Sequence, residues 1–568
     1  MVCSACRGAG AAVQPGAEAR TTSSNRTPPI PEAAPAGVGT GPADAPAQCD
    51  VLVVGGGING AGIARDLAGR GHRVLLCERD DLAAHTSSAS TKLIHGGLRY
   101  LEYFEFGLVR KALAERERLL RSAPHLIRPM RFVMPHDPGM RPAWMIRAGL
   151  FLYDHLASRE LLRASRGVNL REHVAGEALK PAYSRGFVYS DAWVDDARLV
   201  VANAQDAAER GATVRTRTAC IDARRGRERW TATLQGIDGR RQTVHARALV
   251  NAAGPWAGRF LADVAHQPAT QGLRLVKGSH LVVRRRFEHD HAYLFQTTDR
   301  RVVFAIPYED DCTLIGTTDV EQAGGPDTPR LDSAEAAYLC EQVSRYFLRP
   351  VTPADVVWSY AGLRPLLDDE AGDPSAVTRD YLLALDTTGP GPEAGREPAA
   401  PLLTVWGGKL TTFRRLAEEA AALLEGPLGR RGGPWTRDAS LPGGDLRRWI
   451  GTPQRPDTDF IRFVQAVALR HPELAPDTCR RLARAYGGRI ERLLADGLGG
   501  EVVPGLYEAE LRYLHQHEWA RSAEDVLWRR TKLGLHTGPA QQAALADWCL
   551  RHWGPAPRWG EGADVRAA

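Results

Sequence analysis

Three glycines and one acid carry the first chemical signal in the chain. Gly55, Gly57 and Gly60 form G-x-G-x-x-G directly after the apolar run CDVLVV, and Glu78 ends a second apolar run, RVLLCE. The acid follows the first glycine by roughly the 20 residues that a dinucleotide fold uses. Glycine admits a turn too tight for a side chain, a helix N-terminus aims backbone amides at a pyrophosphate, and a carboxylate accepts from a ribose hydroxyl. The pattern predicts a dinucleotide site at Gly55, Gly57, Ile58, Asn59, Gly60 and Glu78. A glycine turn that merely packs tightly is the competing reading. No second G-x-G-x-x-G with a strand before it occurs, so there is room for one dinucleotide, which favours FAD over a flavoenzyme that also consumes NAD(P)H.

Further along, hydroxyls are concentrated in the run HTSSAST: Thr86, Ser87, Ser88, Ser90 and Thr91 offer many donors for phosphate and ribitol oxygens, against the plainer reading of a Ser-rich loop. In VNAAGPWA, which contains Gly254, small residues let a strand end approach a cofactor closely; an ordinary buried strand is the alternative. Arg364 is placed just after a strand, and Arg379 follows in AVTRDYLL. A guanidinium fork takes two oxygens at once and keeps its charge, so two arginines at a cleft suit a phosphomonoester dianion, with surface ion pairing as the rival. TVWGGKLTTFRRLAEEAA reads as strand, Gly-Gly turn and long helix, with Gly408, Lys409, Leu410 and Thr411 at the turn. A positive helix end there would stabilise an electron-rich reduced flavin. Arginine dominates the 73 basic residues, and lysine occurs only at Lys92, Lys111, Lys180, Lys277, Lys409 and Lys532. An ammonium and a guanidinium are not interchangeable at tight sites, so these lysines mark positions where arginine does not fit.

The elements that must position these groups follow the same order. Strand, turn, helix and strand run from Cys49 to Arg79, and a polar stretch through Gly96 and Gly97 leads to a helix starting near Phe104. GFVYSDAWVD and ARLVVANAQDAAERG continue the α/β pattern, ARALVNAAGPWAG returns to the nucleotide domain, and Leu273 to Asp319 reads as successive strands. KGSH puts Lys277 and His280 at a strand turn. RPAWMIRAGLFLYDHL is too short to cross a bilayer and reads first as a buried helix, second as a monotopic docking surface. TTGPGPEAGREPAA reads as a flexible surface loop. From about Asp438 the composition turns helical.

At 568 residues two or three domains are expected. A net charge of +6 argues against a nucleic-acid partner. The nine cysteines sit mostly singly in apolar surroundings (Cys77, Cys220, Cys312, Cys340), the pattern of a reduced, cytoplasmic protein. The lone CxxC of Cys3 and Cys6 has no partner pair, and no metal is expected. Residues 1–48 are rich in Ala, Pro, Gly, Ser and Thr and are expected to be disordered.

The segment TSSASTKLIHGGLRYLEYFEFGLVRKALAERERLL resembles the cofactor-embracing stretch of the FAD-dependent glycerol-3-phosphate dehydrogenases, and SLPGGD with EDVLWRRTKLGL resembles the same family's C-terminal part. The resemblance covers roughly Asp50 to Leu535. It implies a Rossmann-like FAD-binding domain (49–435) interleaved with an antiparallel-sheet substrate domain (about 100–185 and 270–385), the D-amino-acid-oxidase-like arrangement. An all-α C-terminal domain (436–553) and a loose tail (554–568) complete the expected organisation. It also implies non-covalent FAD, held in addition by Lys92, Leu93, His95 and Gly96, and a substrate site of Arg99, Tyr100, His280, Arg364, Arg379 and Lys409. The implied activity is oxidation of sn-glycerol 3-phosphate to dihydroxyacetone phosphate, with His280 as candidate base and Arg364, Arg99 and Lys409 in support. Relatives of this family pass electrons to quinone at the inner membrane face, which implies a quinone acceptor and peripheral membrane contact; a homodimer stays open. The competing activities are an oxidase that returns electrons to oxygen, on glycerol phosphate or an amino or hydroxy acid, and a non-catalytic flavin-binding protein.

Overall fold

Ala47–Val54 is an apolar run whose residues from Cys49 onward are all near-fully covered, as a strand must be when it lies inside a parallel sheet with layers on both faces. In the computed structural model, which describes residues 47–559 apart from 138, 140, 300, 323–324, 327–328, 369–379 and 391–395, this strand is the centre of the first sheet. It pairs in parallel with Val74–Cys77 on one side and with Arg241–Asn251 on the other. Thr213–Arg215 and Arg396–Trp406 extend the sheet in parallel, and Leu382–Pro390 forms an antiparallel edge. The strand begins at Ala47 rather than Cys49; residues 1–46, with Cys3 and Cys6, lie outside the described residues, as do Arg379 and 560–568. Trp559, in the expected loose tail, donates from Nε1 to the Arg79 carbonyl at 3.3 Å.

The helix Ile58–Gly69 lies against this sheet and is built from small residues because its neighbours come so close. A Cβ on Gly62 would stand 2.9 Å from the Phe413 ring on the helix Phe413–Leu428, so only glycine lets the two helices meet.

The second sheet has ten strands. Leu273–Arg284, Cys312–Gly316, Val302–Tyr308 and Ala292–Gln296 are consecutive antiparallel neighbours, and Val356–Leu367 pairs along the outer side of the first. Ile127–Pro135 joins in parallel to Ala292–Gln296 and antiparallel to Arg185–Val194. The strand Arg185–Val194 therefore belongs to this sheet rather than continuing the nucleotide layer, although the helix after it, Asp196–Glu209, packs on the nucleotide side against Ile58–Gly69.

Four sequence expectations need correction. His280 and Lys277 lie within the strand Leu273–Arg284, not at a turn, and Arg364 lies inside Val356–Leu367, not after it. The described parts of the Pro/Gly-rich stretch, 387–390 and 396–400, are strand rather than free loop: Thr388 pairs with Pro398 and Gly389 with Glu397, while 391–395 lie outside the described residues. Proline is tolerated there because Leu382–Pro390 is an edge strand and its partner meets Arg241–Asn251 only at Leu402–Thr404. The helix Ala143–His155 buries only Ile146, Leu150 and Tyr153, leaving Trp144 70% and Phe151 58% exposed, so it is not a buried helix.

The C-terminal part is helical, with one small hairpin, Glu501–Val503 and Leu506–Tyr507. It is tied to the loop after Glu78 by a buried charge cluster. Asp81 accepts two hydrogen bonds from Arg530, at 2.8 and 2.9 Å, and one from Arg529 Nε at 2.7 Å. Arg530 and Asp81 are 1% and 3% exposed. Asp81→Asn keeps the shape but leaves the guanidiniums without their counter-charge. It should lower unfolding free energy in urea by about 3–5 kcal/mol, and a midpoint like that of the wild type would show that the cluster contributes nothing net.

Candidate active site

The carboxyl end of the strand Ala47–Val54 meets that of Arg241–Asn251 with no room for side chains. Gly55 has φ +110°, and a Cβ there would stand 2.4 Å from the Ala252 carbonyl; a Cβ on Gly60 would stand 1.9 Å from the Gly55 carbonyl. The glycines thus bring backbone amides and a helix N-terminus to the surface of a trough, with Gly57 as the helix cap. Glu78 lies at its far wall, held by two backbone amides: Oε2 accepts from Gly56 at 2.6 Å and Oε1 from Asp80 at 2.8 Å. The trough, about 190 Å³, is lined by Gly55, Gly57, Ile58, Asn59, Glu78, Cys220, Gly254 and Gly408 among others.

It opens into a second cavity of about 310 Å³ that shares Thr86, Ser90, Gly408 and Leu410 with it. Here the two sheets face each other, and the side chains turn from backbone cradle to charge. Arg364 donates from Nη2 to Thr317 Oγ1 at 2.9 Å and from Nη1 to Asp319. Arg99 approaches the same carboxylate at 3.9 Å. Lys409 Nζ lies 4.2 Å from the centre of the Tyr100 ring, on the turn where Gly407 and Gly408 have φ of +73° and +102°. Four cations of the lining, Arg99, Arg141, Arg364 and Lys409, stand against four carboxylates, Glu102, Asp191, Asp319 and Asp380, with Arg99 and Arg364 both turned to Asp319.

His280 forms the cavity's inner wall and is 1% exposed. Its Nε2 shares a hydrogen bond with Thr91 Oγ1 at 2.9 Å, and its Nδ1 has no hydrogen-bond partner. The ring stacks on Tyr360 with centroids 4.7 Å apart and planes at 15°. Tyr360 is held by its hydroxyl to the Ser90 carbonyl at 2.8 Å and lies under Lys92 Nζ, 5.0 Å from the ring centre. Burial, then Arg364, then Lys92 push the His280 pKa well below 6.5, so the imidazole is neutral near pH 7.

The expected residues separate into two groups. Gly55, Gly57, Ile58, Asn59, Glu78, Thr86, Ser87, Ser90, Leu93, His95, Arg99, Tyr100, Gly254, His280, Arg364, Gly408, Lys409, Leu410 and Thr411 line the continuous trough and cavity. Gly60 underlies it through its contact with Gly55. Three others do not reach it. Lys92 is spent in a buried pair with Asp196 at 2.8 Å, Ser88 Oγ donates to the His85 carbonyl, and Gly96 packs on Leu113 while its amide donates to the Tyr153 hydroxyl at 2.8 Å. Lys277, the other residue of the KGSH motif, instead meets Glu335 at 2.9 Å. Sequence reasoning missed the partners of its own candidates: Thr91 beside His280, Thr317 and Asp319 beside Arg364, and Tyr360 beneath. Thr317 and Asp319 belong to the hydroxyl-rich GTTD stretch, which was the available signal.

Residues 50–392 match the family described as FAD dependent oxidoreductase, and 435–550 match the C-terminal domain of alpha-glycerophosphate oxidase. The chain is 52% identical over 505 residues to a glycerol-3-phosphate dehydrogenase of Pseudomonas aeruginosa, covering 88% of this chain and 94% of that one. It is 48% identical over 509 residues to a D-erythritol 1-phosphate dehydrogenase of Brucella abortus, covering 89% and 98%. Its structure superposes on a Bacillus halodurans glycerol-3-phosphate dehydrogenase complexed with FAD with a TM-score of 0.68, at 26% identity over 92% of this chain and 93% of that one.

The close approach at Gly60 gives a direct test of the trough. Gly60→Ala forces its Cβ against the Gly55 carbonyl and opens the turn, so the protein should purify with little or no flavin absorbance while its far-UV circular dichroism stays native. Full flavin content in this variant would mean that the turn does not hold the pyrophosphate.

Proposed function

The chain belongs to the FAD-dependent oxidoreductases, in the glycerol-3-phosphate dehydrogenase family, and on that premise we propose that it oxidises sn-glycerol 3-phosphate to dihydroxyacetone phosphate and hands the electrons to a quinone. The cofactor is FAD, which supplies a hydride acceptor when bound. The observation that carries the reading is the convergence of Arg99, Arg364 and Lys409 on one cavity with His280, continuous with the dinucleotide trough.

The chemistry asked of the chain's residues is modest in kind. Guanidiniums bind a phosphate dianion bidentately and in a fixed plane, and Arg99, Arg364 and Lys409 supply the cations of this cavity. Asp319 already occupies the Arg364 fork, so it orients that fork and can accept from a substrate hydroxyl beside it. Loss of hydride from C2 requires that the C2 hydroxyl lose its proton. His280 takes it: its ring is neutral, positioned by Thr91 and Tyr360, and has one nitrogen free of hydrogen bonds. His280→Ala should lower kcat by about 10²–10⁴-fold with FAD retained. Because the His280 pKa is held well below 6.5, the base is already neutral at pH 6.5 and above. In the wild type kcat at saturating substrate should therefore be flat down through pH 6.5 and fall only in a more acidic range where the ring protonates; a fall in kcat centred at or above 6.5 would point to another base.

Anaerobic addition of glycerol 3-phosphate should bleach the flavin, and a quinone analogue should restore it faster than oxygen does. Rapid recovery with oxygen would make the enzyme an oxidase, and a yellow protein that does not bleach would overturn the substrate. The D-erythritol 1-phosphate dehydrogenase relative makes a four-carbon polyol phosphate the second substrate to try in the same assay.

The electron acceptor also gives the exposed helix a role. No helix among the described residues is long and apolar enough to cross a membrane. Trp144, Met145, Phe151 and Leu152 are exposed on Ala143–His155, and Phe104, 77% exposed, follows the turn Leu98–Tyr103 that the Arg141–Glu102 ion pair ties beside it. This face suits shallow insertion at a lipid surface, where a lipid-soluble quinone is found. Trp144→Ser with Phe151→Ser should cut sedimentation with lipid vesicles while leaving turnover with a water-soluble quinone unchanged; unchanged sedimentation would remove the membrane from the proposal.

A further inference from the structure

His280, the proposed base, stands behind a hydroxyl. It is 1% exposed, and protein closes on it from several sides. Tyr360 covers one face of the ring, with centroids 4.7 Å apart and planes at 15°. Gly316 backs another edge so closely that a Cβ there would stand 2.2 Å from His280 Cδ2 and 2.8 Å from Nε2. Nδ1 is buried and makes no hydrogen bond. What meets Nε2 is Thr91 Oγ1, at 2.9 Å. Thr91 itself is only half-buried, and it lines the substrate cavity with Arg99, Arg364 and Lys409.

The hydroxyl is fixed in that place. Thr91 lies between two residues that bind one carboxylate: Ser90 Oγ donates to Asp196 Oδ2 at 2.7 Å, and Lys92 Nζ donates to Oδ1 at 2.8 Å. With both neighbours pinned, Thr91 Oγ1 has little freedom to leave Nε2. A threonine hydroxyl is one donor and two acceptors, so it can give its proton to one partner while taking a proton from another. The neutral imidazole carries one proton on its two nitrogens. Placed on Nε2, that proton leaves the lone pair on the buried Nδ1, which a substrate hydroxyl does not reach. Placed on Nδ1, it leaves Nε2 to accept from Thr91.

We infer that Thr91 is a catalytic residue, whose hydroxyl touches the C2 hydroxyl of the substrate and passes its proton to His280 Nε2. The inference rests on the proposed polyol-phosphate oxidation and deepens it. In the step, the C2–H bond breaks and its hydride leaves with the electron pair for the flavin, while the C2 oxygen loses its proton and becomes a carbonyl. That proton bonds to Thr91 Oγ1 as the proton already on Thr91 bonds to His280 Nε2. Threonine ends as it began, Nδ1 keeps the ring's original proton, and the imidazole has gained one. An alcohol is too weak an acid and too weak a base to hold either charge, so the two proton transfers belong to one event.

The test is the rate of anaerobic flavin bleaching by saturating glycerol 3-phosphate in the FAD-loaded full chain. Thr91→Val keeps the branched shape and removes the hydroxyl, so bleaching should slow by about 10²–10⁴-fold, with KM changed far less. Thr91→Ser restores the hydroxyl and should recover most of that loss. In mixtures of H2O and D2O the wild-type rate should fall along a bowed curve, as two protons moving together require. Wild-type bleaching in Thr91→Val, a serine variant as slow as the valine one, or a straight line in the solvent mixtures overturns the relay. A measurement without substrate stands beside these. In wild type labelled with 15N-histidine, the resting His280 signal, identified by its loss in His280→Gln, should show the proton on Nδ1; the opposite tautomer overturns the relay even where Thr91→Val fails to fold. If the wild type bleaches with D-erythritol 1-phosphate but not with glycerol 3-phosphate, the substrate reading falls and the same comparison on the four-carbon substrate decides the relay. If neither bleaches it, both fall.

Discussion

The site depends on one ion pair that never meets water. Lys92 and Asp196 are 1% and 0% exposed, joined at 2.8 and 3.0 Å, and the ammonium also donates to the Ser88 carbonyl. A pair so placed adds little to stability compared with an apolar substitute, but losing one partner leaves a bare charge in the interior, so the arrangement tolerates no other packing. Its value is geometric. It pins the loop after residue 85 to the start of the helix Asp196–Glu209, with Ser90 Oγ on the same carboxylate at 2.7 Å. It holds Lys92 at φ +59°, a left-handed conformation that a side chain adopts only when its surroundings insist. From this anchor Thr91 reaches His280 on one side and Tyr360 is braced on the other, so the imidazole is oriented by residues that do not themselves touch the substrate cavity's charged end.

Around that anchor, the two sheets divide the labour by the kind of group each can offer. The first sheet presents backbone: a strand end at Gly55, the helix turn at Gly60 and the turn at Gly254 carry no side chains, and they leave amides and a helix terminus at the trough that suits an anionic cofactor. The mostly antiparallel sheet presents side chains in register, and its pleat explains which ones meet. His280 lies opposite Tyr360, and Val276 opposite Arg364, on neighbouring strands, so the base candidate and the phosphate-binding candidate stand four residues apart along one ladder. Alternation then sends Lys277 to the opposite face, into Glu335 and Asp332.

That alternation marks where the sequence was legible and where it was not. The G-x-G-x-x-G turn and Glu78 could be read because their chemistry is local: a strand, a turn and a helix within one short segment. The lysine argument identified Lys92 as a position where arginine will not fit, and the buried pair explains why, yet it could not say that the partner is Asp196 rather than a phosphate. KGSH looked like a turn because glycine and serine are turn residues, but here Gly278 is required by the Arg364 guanidinium, whose Nη2 would lie 2.5 Å from a Cβ. Ala143–His155 read as buried because its apolar residues are frequent; frequency does not say which of them face outward, and Trp144 and Phe151 do. Asp319, Thr317 and Tyr360 became visible only through pairings made at long range in sequence.

The same long-range logic changes what the helical C-terminal part is for. Viewed as composition it is a separate appendage, but its segment Asp525–Lys532 faces the cofactor loop at three levels. Arg529 and Arg530 clamp Asp81, three residues beyond Glu78; Trp528 stacks on Trp358 of the second sheet; and Lys532 stands beside Asp195, next to the carboxylate that anchors Lys92. Each contact crosses from one end of the chain to the other, so the helical part cannot move without loosening the loop that wraps the flavin site. A hydrophobic seam alone would hold these layers together in many registers, since apolar contact is not directional. Charged forks and a stacked ring pair permit only one, and it is the register that keeps Thr91, His280 and Arg364 facing a single cavity.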